Sequence, residues 1–205
     1  MLKIYLTRHG QDVDNSNGIL NGHRDQPLTE LGIRQATEAG NQIKNIGLKF
    51  DHVYASPLQR TLKTAQIISD ISGNPQPTKL PLLIERDFGT MTGAEQCRIT
   101  ELCAPDILQV GKINYFLKPI KGETFPKTII RAKKLLKYIT DKHDDGSILL
   151  VTHGDMGKMV YTAYYNLPWK ETLELFHFGN TDLLLLSEHS DPADVYVFST
   201  EQYNL

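Results

Sequence analysis

Two histidines, two arginines and a glutamate are spaced along this 205-residue chain so that a fold could gather them into one pocket. Arg8-His9-Gly10 closes the apolar run Leu2-Lys3-Ile4-Tyr5-Leu6, which has the composition of a strand. Ile148-Leu149-Leu150-Val151-Thr152 stops in the same way, at His153-Gly154. A strand that ends abruptly in histidine delivers an imidazole at its carboxyl end, where open α/β sheets bind ligands. Arg60 falls in the first turn of a helix opened by Ser56-Pro57, near the positive end of its dipole. Glu85 directly follows the apolar segment Leu80 to Ile84. Two guanidiniums that do not deprotonate, with two imidazoles, suit a tetrahedral dianion, because arginine forks match phosphate oxygens with parallel charge-assisted hydrogen bonds. A histidine among arginines is held neutral by like charge. If one ring nitrogen gives its proton to a carbonyl, the other offers a lone pair to phosphorus. A carboxyl group in the same pocket can protonate the departing alkoxide. Glu85 is the first candidate for that acid, with Asp87 and Glu101 as its nearest rivals.

The elements that must position these residues follow from periodicity. Pro27-Leu28-Thr29 opens a helix with Thr29 as N-cap, and Ala36, Ala39, Ile43 and Ile46 form its apolar stripe up to Gly47. Val53-Tyr54-Ala55 is a short strand. Ser56 as N-cap and Pro57 at the first helical position start the next helix, with Leu62, Ala65 and Ile68 buried and Gly73-Asn74-Pro75 as the stop. Leu80 to Ile84 reads as a further strand. Pro126 to Thr140 and Asp155 to Tyr165 read as helices, and Leu183 to Leu186 and Val195 to Phe198 as closing strands. Gln11 to Gln26 reads as an irregular polar loop. The alternation of strand and helix argues an α/β fold with a mainly parallel central sheet and helices on both faces. The aperiodic segment from about 90 to 122 reads as a partly helical insertion over the strand ends, within a single domain spanning 1-205.

Composition narrows the function. An apolar fraction of 40% and a charged fraction of 22% are those of an ordinary globular protein. A formal charge of -2 offers no bulk positive field, so nucleic acid is not an expected partner. No apolar run approaches membrane-spanning length, and the start of the chain reads as strand rather than signal peptide. The two cysteines, Cys97 and Cys103, match neither a zinc site nor a disulfide framework, which points to a cytoplasmic location. No P-loop, dinucleotide fingerprint or metal-binding histidine pair is present, so no metal or cofactor is expected. His23, His52, His143, His177 and His189 read as ordinary surface or half-buried residues, and the lysines of the insertion, Lys112, Lys118 and Lys121, as a solvated face.

Taken in order, Arg8-His9-Gly10, Asn15, Asn21-Gly22, Asp25-x-Pro27-Leu28-Thr29-x-x-Gly32, Ser56-Pro57-x-x-Arg60-Thr61-x-x-Thr64-Ala65, Glu85-Arg86-x-Phe88-Gly89 and His153-Gly154 resemble the histidine phosphatase superfamily, the phosphoglycerate mutase-like clan. The resemblance implies a three-layer α/β/α sandwich. It implies that His9 is the phosphorylated nucleophile, that Arg8, Arg60 and His153 hold the phosphoryl oxygens, and that Glu85 is proton donor and then base. Asn15 would add a donor to the pocket. Asn21, Gly22, Arg86, Phe88 and Gly154 would line the substrate side. Gln11, Asn21 and Asp155 depart from residues common in the family, and the segment between Glu85 and His153 is short for a bisphosphate-dependent mutase. The expectation is therefore a metal-independent phosphomonoesterase acting on a small phosphorylated metabolite and releasing inorganic phosphate. A phosphoglycerate mutase and a non-catalytic phospho-ligand binding protein are the alternatives. Neither the substrate nor the oligomeric state is legible.

Overall fold

The computed structural model describes residues 1–200 and 202. In chain order its elements are β1 (Leu2–Arg8), α1 (Val13–Ser16), α2 (Glu30–Asn45), β2 (His52–Ala55), α3 (Gln59–Ser72), β3 (Thr78–Lys79), α4 (Ile99–Cys103), β4 (Ile107–Val110), β5 (Ile113–Phe116), α5 (Phe125–Lys142), β6 (Gly146–Thr152), α6 (Gly154–Tyr165), α7 (Trp169–Leu175), β7 (Leu183–Leu186) and β8 (Tyr196–Phe198). The central sheet has the order β3-β2-β6-β1-β7-β8. Its first four strands run parallel, and β7 and β8 close one side antiparallel.

The middle of the sheet is apolar on both faces, as a strand covered by helices on either side must be. Ile148 and Leu150 of β6 pack with Leu135 and Ile139 of α5 and Met159 of α6. Leu149 and Val151 point the other way and pack with Ala39 and Ile43 of α2 and Ala65 and Ile68 of α3. All of these side chains are buried. The mainly parallel sheet and the three layers expected from the alternation are present.

The register of β1 against β6 is what brings the two histidine loops together. Leu2 pairs with Gly146 and the ladder runs in step to Arg8 opposite Thr152. His9 continues it by donating its backbone N–H to the Thr152 carbonyl at 3.0 Å. Both strands therefore stop at the same level. Just beyond, the loop after β1 is pressed onto the start of α2 through two glycines. A Cβ on Gly10 would sit 2.3 Å from the Gly32 carbonyl oxygen, and one on Gly32 would sit 2.0 Å from that of Gln11. Thr29 caps α2 by accepting from the Gly32 N–H, and its own N–H donates to the Gln11 carbonyl.

Several local expectations are corrected. Leu80 to Ile84 is not a strand. β3 is the two residues before it, and Pro81–Leu83 forms a 3-10 turn. Pro81 has no N–H for a ladder but suits the first position of a turn. Ser56 does not cap α3. The helix starts at Gln59 after Leu58, without a side-chain cap, because the Ser56 hydroxyl is engaged elsewhere. The polar stretch after Gly10 contains the short helix α1, capped by Asp12. α7 was not expected. The insertion carries the β4–β5 hairpin besides α4, and Leu20, Phe88, Met91, Ile99 and Phe116 form a small core beneath it.

Candidate active site

His9 is the centre of the pocket and is 2% exposed. Its Nδ1 lies 2.7 Å from the Gly10 carbonyl oxygen. A carbonyl only accepts, so Nδ1 carries the proton and the lone pair resides on Nε2. The backbone is fixed too, since the His9 carbonyl accepts from Asn180 Nδ2 at 2.6 Å. Burial, then the charges of Arg60 and Arg8, hold the His9 pKa well below its usual value. A neutral imidazole with a free Nε2 is the state a nucleophile requires.

His153 stands edge-on to it, with ring centroids 5.1 Å apart. Arg60 Nε donates to His153 Nδ1 at 3.2 Å. Nε2 of the neutral ring therefore keeps its proton and donates to Ser56 Oγ at 2.8 Å. Burial, then Arg60 and His9, lower the His153 pKa well below normal. Ser56, read from sequence as a helix cap, is instead the partner that orients this second histidine.

Arg60 is fully buried on the first turn of α3. Its Nη1 and Nη2 donate to the carbonyls of Arg24 and Gly22, at 2.6 and 2.8 Å. Its Nε also faces Asp12 Oδ2 at 3.3 Å. Asp12 is the functional-site residue that sequence reasoning missed. It is fully buried, accepts from Asn21 Nδ2 at 2.6 Å and lies 3.8 Å from His9 Nδ1. Burial pushes its pKa up and outweighs the attraction of Arg60, whose own pKa burial pulls down. The signal available was position alone: a carboxylate three residues after the nucleophile.

Arg8 ends β1 half-buried, and its guanidinium lies against Gly154. Nη1 donates to the Phe178 carbonyl at 3.2 Å, whereas the buried Nε has no hydrogen-bond partner among the described residues. Glu85 is 5% exposed and sits at the N-terminus of α6. Its Oε1 accepts from the N–H groups of Arg86 and Met156, at 2.7 and 3.0 Å, and Oε2 from that of Asp155 at 3.3 Å. Burial first, then the neighbouring Asp155 carboxylate, push its pKa up. Its two rivals are placed otherwise. Asp87 caps a turn by accepting from the Gly89 N–H, and Glu101 is exposed and paired with Arg98.

The remaining residues read as substrate contacts are more engaged than expected. Arg86 is buried, pairs through Nε with Asp155 at 2.8 Å, and stacks over Phe116 and Phe125 at 4.2 Å each and Phe88 at 5.0 Å. Its charge is met inside the protein, where it holds the start of α6 beside Glu85. Asn21 is bonded to Asp12, and the Gly22 carbonyl to Arg60. Asn15 donates its backbone N–H to Asp12, and no hydrogen bond joins its side chain to the histidines. His23, read as an ordinary residue, contacts the Glu85 carbonyl through Nε2 at 2.8 Å. Lys158 of α6 is a further buried cation: its Nζ donates to Tyr115 Oη at 2.6 Å, and burial pulls its pKa down to about 8.

The chain matches the family model described as "Histidine phosphatase superfamily (branch 1)" over residues 4–198. A 2,3-bisphosphoglycerate-dependent phosphoglycerate mutase of Bartonella quintana is 32% identical over 177 residues, covering 83% of this chain and 84% of that one. Among solved structures, a phosphoserine phosphatase of Entamoeba histolytica in complex with 3-phosphoglyceric acid superposes with a TM-score of 0.78. It is 26% identical, over 100% of this chain and 99% of that one. A mycobacterial glucosyl-3-phosphoglycerate phosphatase, 23% identical over 92% and 94% of the two chains, shares the fold with a TM-score of 0.77.

Proposed function

The chain belongs to the histidine phosphatase superfamily, and from that premise we propose that it is a phosphomonoesterase working through a phosphohistidine on His9. One observation carries this reading: the Nδ1 proton of His9 is committed to the Gly10 carbonyl beside the charges of Arg60 and Arg8. In the first step His9 Nε2 attacks phosphorus in line. A P–N bond forms, the ester P–O bond breaks, and the Glu85 carboxylic acid gives its proton to the leaving oxygen. In the second step water attacks phosphorus, Glu85 takes a proton from it, and the P–N bond breaks to release inorganic phosphate. Arg8 and Arg60 supply the positive charge that would otherwise call for a metal ion. His153 stabilises the equatorial oxygens as its Nε2 proton turns from Ser56 to the phosphoryl group.

Gly22, Gly154 and Asn15 border the phosphoryl pocket in this reading. Asn21, Arg86 and Phe88 act through Asp12, Asp155 and the small core. The whole of 1-205 works as one unit, with 90-122 closing over the substrate side. The 3-phosphoglyceric acid held by the Entamoeba phosphatase supports a small phosphorylated acid as the substrate class.

The mutase names of the curated relatives favour a second reading, in which the phosphoryl group returns to the product before water takes it. That reading needs cations for a bisphosphate, and Lys118 of the insertion is already paired with Asp106 at 2.7 Å. The test is phosphate release from a panel of phosphomonoesters in EDTA, by the wild type and His9→Ala. The panel includes 3-phosphoglycerate with and without 2,3-bisphosphoglycerate, with 2-phosphoglycerate followed in parallel. Release that needs His9 and ignores EDTA supports the phosphatase. Isomerisation without net release would replace it with the mutase.

A further inference from the structure

A pocket for a dianion has a carboxylate built into its floor. Arg60 is fully buried and keeps its charge, so it needs a counter-ion. Among the described residues, the ion pair to Asp12 is the one it makes. Asp12 is equally buried, with Oδ1 capping α1 through the Asn15 N–H at 2.8 Å and Oδ2 facing Arg60, Asn21 and His9. The groups around it are Arg8 and His9 from the end of β1, Asp14 and Asn15 on α1, Asn21 in the next loop and Arg60 on α3. His153 and Glu85 adjoin it through Arg60. A phosphoryl group on His9 Nε2, across the imidazole from Asp12, shares the charges of Arg60 and Arg8 with it. Two anions that share one guanidinium cannot both stay ionised without cost.

We propose that Asp12 is the resident counter-ion of Arg60 in the free protein, and that a phosphoryl dianion arriving at His9 takes over that role and drives a proton onto the Asp12 carboxylate. This rests on the phosphoryl-pocket reading above. The proton comes from solvent, the carboxylate becomes a neutral acid, and Arg60 keeps its charge throughout. Burial already raises the pKa of Asp12, and the incoming dianion raises it further. The free site is thereby kept near neutrality, and loading brings one dianion and up to one proton together. Binding tightens as pH falls.

Sulfate is the probe, because it stays a dianion from about pH 4 to 8, a range that spans the ordinary His pKa and reaches upward from the ordinary Asp pKa. Calorimetry in two buffers of different ionisation enthalpy counts the protons taken up by the wild type, Asp12→Asn and Asp12→Ser. Serine keeps an N-cap acceptor for α1 should the asparagine variant fold poorly. The wild type is expected to take up as much as one proton more per sulfate than either variant. Its Kd falls by up to about tenfold per pH unit as pH is lowered, beyond the histidine contribution that the variants retain. Equal proton uptake in all three proteins overturns the counter-ion exchange and leaves the anion pocket standing. Absence of sulfate binding to the wild type, or binding undiminished in Arg8→Met, overturns the pocket reading and this inference with it.

Discussion

Replacing Glu85 by Gln separates the acidity of this carboxyl from its place in the fold. Oε1 takes the two shorter bonds, from the Arg86 and Met156 N–H groups, and a glutamine carbonyl can keep both. The amide nitrogen then faces the Asp155 N–H, donor against donor, where Oε2 accepted at 3.3 Å. That mismatch costs about 1 kcal/mol. Against it stands the raised pKa, caused by burial and by Asp155. A group whose folded pKa is raised contributes stability at low pH and loses it as pH rises through the folded value. The wild type should therefore match or exceed Glu85→Gln in Tm at acid pH and fall below it on the alkaline side. Activity, by contrast, should be lower in Glu85→Gln at every pH. A general acid contributes about 10²- to 10⁴-fold, which is roughly 3 to 5 kcal/mol of barrier. The loss should be near the upper end for an alkyl phosphate and much smaller for p-nitrophenyl phosphate, whose leaving group departs as a stable anion. Steady-state kcat/KM for both substrates, with melting curves over the same pH range, provides the assay. Equal losses for the two leaving groups would refute Glu85 as the acid. Parallel Tm profiles would refute the burial argument.

Ser56→Ala removes the acceptor of the His153 Nε2 proton. It should cost about 1 kcal/mol of stability and lower kcat more than it raises KM, read from melting and from substrate saturation curves. Leu150→Ala, at the fully buried centre of β6, should cost about 2–5 kcal/mol in urea unfolding, through lost burial and the cavity left. Lys158→Met should raise Tm at neutral pH by several degrees. The lysine pKa is lowered to about 8 from 10.5, so the native state disfavours its charge, and the gain should vanish as pH climbs through that interval. A variant no more stable than the wild type at pH 7 would show that the Tyr115 hydroxyl fully offsets the burial of the charge.

What the sequence made legible was what repeats locally. The unbroken apolar run of β6 and the period-three-to-four stripes in α2 and α3 are written in consecutive residues, and the layers follow from them. Arg8, His9, Arg60 and His153 were legible because each sits at or beside an element end that has its own signal, whereas Glu85 follows a run that folds as a 3-10 turn and not as the expected strand. The partners of these residues were not. Ser56 carries a cap signature, yet its hydroxyl serves a histidine far along the chain, and local preference yields to that tertiary bond. Asp12 is an N-cap by local chemistry and a counter-ion by tertiary chemistry, and only the first is visible in sequence. Arg86 looked like a ligand-binding cation because its three aromatic neighbours come from separate segments. The strand expected at Leu80 to Ile84 failed for a nearer reason, since Pro81 withdraws a ladder donor from an otherwise suitable run.

The in-step ladder between β1 and β6 also sets when the site comes into being. β1 is separated in sequence from both of its sheet neighbours, β6 and β7, by most of the described chain. Until β6 emerges, the N–H of His9 has no Thr152 carbonyl to bond, and its imidazole titrates as an ordinary solvent-exposed histidine. Pairing across so long a loop is slow, because the entropy of closure must be met before contacts return anything. The buried, hydrogen-bonded environment of His9 is thus assembled only once β1 and β6 have paired.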